Sequence, residues 1–282
     1  LVDCLLDDNL RQGLSIVKSH HCVYKNVTFS RTVGAEPHNG VDFEPPYAVY
    51  DIEEQYFFDC KFHDNAAGNV TFSTSNYAPA TYYFKRCKFG TGRYRNIVAI
   101  PRATGYIDRF VEAPSDVRFE DCEFEGYSDA QMLMFNSALL NFNFINCTFT
   151  DKGRLDPART ANNSPIYFHL DRAFWEGYYP KSGKITFENC KVNGFENRPL
   201  VRFGDFNGKF GIAAGTIRGK INHNGKEVDL SKFSYLPPDL KPAFPAFTGD
   251  LHGIEPAIEP HDGSKVPPFR RLEGDFHPQS IR

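Results

Sequence analysis

The sequence predicts an all-β protein: a right-handed parallel β-helix of about eight coils over residues 1–230, followed by a proline-rich irregular tail over 231–282. Three observations predict it. A six-residue pattern built on Phe and Cys recurs along most of the chain. A second family of short strands lies between the copies, with starts about 27 to 35 residues apart. No helix-length apolar pattern separates them, so each strand is expected to stack on its own copy in the next repeat. Handedness follows from the strong preference of parallel crossovers.

The first family is clearest at Phe119-Glu120-Asp121-Cys122-Glu123-Phe124. Copies start at Phe57, Phe84, Phe144 and Phe187, with looser ones at Asp3, Asn26 and Ala214. Apolar residue, Cys and the next apolar residue alternate with polar ones, the period of a strand buried on one face. The second family starts at Gly13, Gly40, Asn69, Asn96, Gln131, Pro165, Pro199 and Glu227.

Composition narrows the rest. The 282-residue chain has a formal net charge of -3, which gives no basis for binding nucleic acid or a membrane surface. Phe stacked between coils accounts for most of the 27 Phe. Of seven cysteines, Cys4, Cys60, Cys87, Cys122, Cys147 and Cys190 share one repeat position, and Cys22 lies off it. The expected outcome is a ladder of buried free thiols, since Cys behaves as a small hydrophobe and strand-bridging disulfides in parallel register have poor geometry. No Cys-x-x-Cys pair suggests zinc.

Taken in order, the chain opens at Leu1 inside a coil. An uncovered first coil exposes a pairing edge, so a homo-oligomer or a covering chain is expected there. Arg11 and Gln12 precede the second-family strand of that coil, and Glu36 and His38 sit in the turn before the next. In Val41-Asp42-Phe43-Glu44, inward Val41 and Phe43 put Asp42 and Glu44 on the outer face, with Cα atoms about 6.6 Å apart. Two carboxyl groups on that scale suit inverting glycoside hydrolysis, which needs roughly 6.5–9.5 Å to admit a water. The alternative is a pair of solvated outer-face residues.

Loops leaving the second-family strands are rich in aromatic residues: Tyr47, Tyr50 and Tyr56; Tyr77, Tyr82 and Tyr83; Tyr106 and Phe110; Phe174, Trp175 and Tyr178. Such rings offer apolar faces with polar tips, suited to the C–H face of a pyranose, or they pack over the coils. Turns entering those strands are basic, with Arg31, Arg93, Arg95, Arg154, Arg159 and Arg198, and with Arg102 and Arg202 nearby. Arginine is the preferred partner of a carboxylate or sulfate, although these residues could equally pair with Asp108, Asp116, Asp151 and Asp156.

A second chemical cluster is expected at Ile166–Asp171, where Tyr167 and His169 face outward together near Asp171, Arg172 and Arg202. A His flanked by Tyr and Arg can move a proton at neutral pH, as β-elimination on a uronate requires. Past Leu230 the repeat ends, and nine prolines from Pro237 to Pro278 exclude a sheet centre or a helix.

The run Arg11-Gln12-Gly13-Leu14-Ser15-Ile16-Val17, then Asn26-Val27-Thr28-Phe29 and Gly40-Val41-Asp42-Phe43-Glu44-Pro45, resembles the right-handed parallel β-helix proteins of the pectate-lyase-like superfamily. The resemblance covers residues 1 to about 230 and implies the fold. It leaves function open, because the superfamily holds lyases, glycoside hydrolases, epimerases, phage depolymerases and non-catalytic adhesins. The polygalacturonase pattern of Asn-Thr-Asp, Asp-Asp and Gly-His-Gly is absent, so those residues are not carried over. Calcium binding of the pectate-lyase type would find only Asp42 and Glu44, with Thr71 and Ser73 on the next coil. No metal site or other cofactor is expected.

The functional expectation is therefore a carbohydrate-active protein of the secreted, cell-surface or periplasmic class, although no signal-peptide pattern is read within residues 1–282. Its partner is an acidic polysaccharide or oligosaccharide lying along the parallel strands. Hydrolysis would use Asp42 and Glu44, and a lyase would use His169. Arg11, Glu36, His38, Tyr47, Arg95, Arg102, Tyr167, Arg172, Trp175 and Arg202 would hold the substrate. A non-catalytic glycan-binding or assembly module is the alternative from a different class.

Overall fold

A computed structural model describes residues 1–44, 52–73, 80–90, 95–100, 115–127, 131–135, 140–153, 164–170, 184–196, 198–205 and 215–233. These form a parallel β-helix with three strands per coil, containing no α-helix among the described residues. The proline-rich tail from residue 234 on lies outside them.

On the first face lie β3 (Cys22–Lys25), β6 (Glu54–Phe58), β9 (Thr81–Lys85), β12 (Ser115–Glu120) and β15 (Leu140–Ile145). The second holds β1 (Leu5–Asp7), β4 (Thr28–Ser30), β7 (Lys61–His63), β10 (Lys88–Phe89), β13 (Glu123–Gly126) and β16 (Thr148–Asp151). The third is a separate seven-stranded sheet of β2 (Gln12–Ile16), β5 (Asn39–Phe43), β8 (Gly68–Ser73), β11 (Arg95–Ile100), β14 (Gln131–Phe135), β17 (Ile166–Leu170) and β19 (Val201–Asp205). β18 (Ile185–Asn193) pairs with β15 through its first residues and with β16 through its last, joining the first two faces. β20 (Ile217–His223) adds to β18, and β21 (Lys226–Asp229) is followed by a 3-10 turn over Leu230–Lys232.

Two expectations are corrected. The Phe-x-x-Cys pattern is two strands rather than one in the copies at Phe57, Phe84, Phe119 and Phe144, and one bent strand, β18, in the copy at Phe187. Asp59, Arg86, Asp121, Asn146 and Asn189, each just before the Cys, adopt positive φ of 52–57° and bend the chain from the first face to the second. Asp and Asn tolerate that left-handed region better than other side-chain-bearing residues. Along the bend they bond one another: Asn146 Nδ2 donates to Asp121 Oδ1 at 3.0 Å, and Arg86 grips both oxygens of Asp59 at 2.7 and 2.9 Å. The segment Glu227–Leu230, expected as an eighth strand of the third face, instead folds back through β21 as an antiparallel hairpin on β20.

Parallel register places like on like, and the core consists of ring columns. Tyr24, Phe57, Phe84, Phe119, Phe144 and Phe187 stack with centroids 4.3 to 5.1 Å apart. Phe29, Phe62, Phe89, Phe124 and Phe149 form a second column at 4.7 to 5.0 Å. These separations reproduce the strand spacing of about 4.8 Å, so the ladder itself sets the stacking distance. Cys60, Cys87, Cys122, Cys147 and Cys190 are buried and free, as expected of a thiol ladder. Each Sγ donates to a carbonyl of the preceding coil, as Cys122 does to Phe84 at 3.5 Å.

A short asparagine ladder closes the turn into the third face. Buried Asn65 donates to Asn69 Oδ1 at 2.8 Å, Asn69 to Asn96 Oδ1 at 2.6 Å, and Asn96 to the Glu125 carbonyl at 2.7 Å. Room for Asn65 comes from Gly40, where a Cβ would lie 2.7 Å from its Nδ2. Because Asn69→Ala orphans Asn96 Oδ1 and the Gly90 carbonyl, and leaves Asn65 Nδ2 only its bond to the Phe29 carbonyl, it is expected to cost about 3 kcal/mol. Urea denaturation checks this.

The large apolar residues exposed among those described all belong to the first 33 positions: Leu1, Val2, Leu5, Leu10, Val17, Val23 and Val33. In the same region β1, β2 and β3 each end their row of paired strands.

Candidate functional site

The outward side chains of the third face run in registered rows. One row is Ser15, Asp42, Thr71, Val98, Met134, Tyr167 and Arg202. The expected open wall is in fact covered: Asp42 is 4% exposed, and Thr71, Val98, Met134 and Tyr167 are also buried. Val98, Met134 and Tyr167 form an apolar cluster of their own on this side.

Asp42 and Glu44 come together at one end of the wall. Gln12, one coil earlier, donates its Nε2 to Asp42 Oδ2 at 2.6 Å and to Glu44 Oε2 at 3.4 Å. One donor shared at those lengths caps the separation of the two oxygens at about 6 Å. Asn39 Nδ2 adds a longer contact to Asp42 Oδ2 at 3.4 Å, and Asp42 Oδ1 is buried without a partner. Burial, reinforced by the Glu44 charge, pushes the Asp42 carboxyl up to about 6 from an ordinary 3.8; the Gln12 and Asn39 bonds and the Arg11 charge oppose this. Glu44 is half-buried, so solvent meets the pair on its side.

That proton has a consequence for stability. The folded chain holds it more tightly than the unfolded chain, so its contribution is complete below about pH 4 and is lost as pH rises through about 6. The gap corresponds to about 3 kcal/mol. Asp42→Asn is expected to remove this dependence, so that wild type loses about 3 kcal/mol of urea stability relative to the variant between pH 4 and pH 7.

On the same coils, Arg11 Nε donates to the Glu36 carbonyl at 3.1 Å and His38 Nε2 lies 2.8 Å from the Gly34 carbonyl. Arg11 acts on the pair through its charge at Asp42. His169 occupies the same wall, but its strand is four steps from that of Asp42, on the order of 19 Å away. The two cannot act on one bond.

Tyr167 does gather arginines. The Arg202 guanidinium lies 5.7 Å from its ring centroid. Burial raises the Tyr167 hydroxyl above its usual range against the opposing charges of Arg202 and Arg95. Arg95 Nε is buried without a hydrogen-bond partner, and desolvation lowers its pKa. The side chain of His169, and Tyr47, Arg102, Arg172 and Trp175, lie outside the described residues. Of the basic turn residues, Arg198 is engaged with Asp151 at 2.5 Å.

Sequence reasoning missed Gln12 and Asn39, the donors that hold Asp42. Their signal was register: each stands three residues before an outward position of the third face. It also placed Tyr56, Tyr82 and Tyr83 in loops, whereas Tyr56 is in β6 and the other two are in β9, with Tyr82 in the core.

Among the described residues no group of three or more His, Cys, Asp or Glu could hold a metal ion, and no helix is long and apolar enough to cross a membrane. Fold and site together define a parallel β-helix protein with a carboxyl pair, Asp42 buried and Glu44 half-buried, on its third face. No known protein family, curated protein or solved structure matches the chain.

Proposed function

We propose that the protein is a carbohydrate-active β-helix related to the pectate-lyase-like superfamily, cleaving glycosidic bonds of an acidic polysaccharide at Asp42 and Glu44. The supporting observation is the Gln12 clamp, which brings the two carboxyl groups together while the Asp42 carboxyl is held up to about 6. A carboxyl that keeps its proton toward neutral pH is suited to general-acid work beside a second one. The 6 Å cap on this one pair of oxygens includes the roughly 5–5.5 Å of retaining enzymes and lies just under the roughly 6.5–9.5 Å of inverting ones. It favours a retaining step over the inverting expectation. Asp42 protonates the departing glycosidic oxygen while a Glu44 oxygen bonds to the anomeric carbon, and water then releases the sugar with Asp42 taking back a proton. Such a protein would act outside the cell.

The second reading is β-elimination on a uronate at the far end of the wall. It is favoured by the charges of Arg95 and Arg202 felt at Tyr167, which would neutralise the uronate carboxylate. Burial keeps the Tyr167 hydroxyl protonated, so abstraction would fall to His169.

Incubation with a panel of acidic and neutral polysaccharides tests both. New reducing ends without an unsaturated product support hydrolysis, and ultraviolet absorbance from an unsaturated uronate supports elimination. No cleavage of any polymer would remove the catalytic reading and leave a binding or assembly module.

A further inference from the structure

A different face carries a second feature. Outward positions of β6 and β9 hold Tyr56, Phe58 and Tyr83, all half-buried, whereas the same rows on flanking strands hold Val23, Arg118, Lys25 and Glu120. The aromatic residues are thus concentrated at one place. Tyr56 and Phe58 lie parallel at 6.3 Å and 4°, and both stand edge-on to Tyr83, at 6.4 Å and 89° and at 5.9 Å and 87°.

The polar rim is anchored. Tyr56 Oη donates to Glu54 Oε2 at 2.9 Å, and His21 Nδ1 lies 2.7 Å from the same oxygen. Tyr83 Oη donates to Glu120 Oε2 at 2.9 Å, while Lys85 and Arg118 each reach Glu120 at 2.7 Å. Arg118 also lies over the Tyr83 ring at 5.7 Å. Bonds from Lys85, Tyr83 and Arg118 hold the Glu120 carboxyl down at about 2, so this rim keeps its charge at any ordinary pH.

From this we infer that Tyr56, Phe58 and Tyr83 form a glycan-binding platform for pyranose rings, separate from the carboxyl pair. Backbone capture of a peptide strand is ruled out, because β6 is paired with β3 and β9, and β9 with β6 and β12. With about 200 Å² for each free aromatic side chain, three half-buried ones expose on the order of 50–200 Å², below the roughly 800 Å² per partner of a stable protein interface. Carboxylates matched by Lys85, Arg118 and His21 give no excess of positive charge for an anionic polymer. A sugar meets each condition: its C–H face packs on a ring, and its hydroxyls both donate to and accept from the anchored rim.

Native affinity electrophoresis of the full chain tests this, in gels containing hydroxyethyl cellulose, xylan or polygalacturonate. At least one polymer is expected to retard the wild type. Tyr56→Ala and Tyr83→Ala should each weaken retardation about tenfold, while Tyr56→Phe, which keeps the ring, retains most of it. The double variant Asp42→Asn/Glu44→Gln should run as wild type, which separates this platform from the proposed cleavage site. No retardation by any polymer, undiminished retardation in both alanine variants with unaltered thermal midpoints, or loss only in the Asp42/Glu44 variant would each overturn the inference.

Discussion

Phe119→Ala is expected to destabilise the protein by about 3–5 kcal/mol, among the largest effects of any single core change. Phe119 stacks on Phe84 at 4.8 Å and on Phe144 at 5.1 Å, and meets Phe89 and Phe124 edge-on at 5.6 and 5.4 Å. It is fully buried midway along the column, so its removal leaves a void bounded by four rings. Parallel register fixes their spacing and keeps them from collapsing inward. Urea denaturation gives the size. Phe119→Leu, which refills part of the space, should recover a substantial fraction, and equal losses in the two variants would show that the void is not the cause.

Glu44→Gln and Asp42→Asn are each expected to lower turnover of a cleaved polysaccharide by about 10²–10⁴-fold, the usual scale of a lost acid or base. Gln12 would still reach an amide oxygen at either position, so the local bonding can survive the change. The readout is the initial rate of reducing-end formation beside the far-ultraviolet circular dichroism of each variant. Unchanged rates in both would remove the carboxyl pair from the chemistry. Opposite shifts of the pH profile, with the acidic limb moved in one variant and the basic limb in the other, would identify which group donates and which attacks.

The architecture was readable because a solenoid repeats its instructions. Phe57, Phe84, Phe119, Phe144 and Phe187 occupy equivalent positions, and register turns that sequence spacing into a physical column. The bend between two strands was written in the same motif, in the Asp, Asn or Arg before each Cys, but period-2 alternation continues across it and conceals it. The hairpin at Lys226–Asp229 was concealed for another reason: alternation marks a strand and not its partner, so Val228 reads alike in a parallel coil or a folded-back cap.

For the site, periodicity put Asp42 and Glu44 on one side of a strand, and the structure agrees. It could not reveal that the outward row is buried, nor that Gln12 on another coil bridges the two carboxyl groups, since contacts across about 30 residues leave no local pattern. Tyr56 and Tyr83 were conspicuous by composition, yet their place in adjacent strands required the register.

The buried thiols give the folded chain a built-in gauge of its own unravelling. Cys60, Cys87, Cys122, Cys147 and Cys190 mark five successive coils, and a thiol-reactive dye reaches each one only when that coil opens. Since a coil contacts only its neighbours, opening from one end would label them in chain order, whereas all-or-none unfolding would label them together. Mass spectrometry of partly labelled protein would read out that order without any engineered probe.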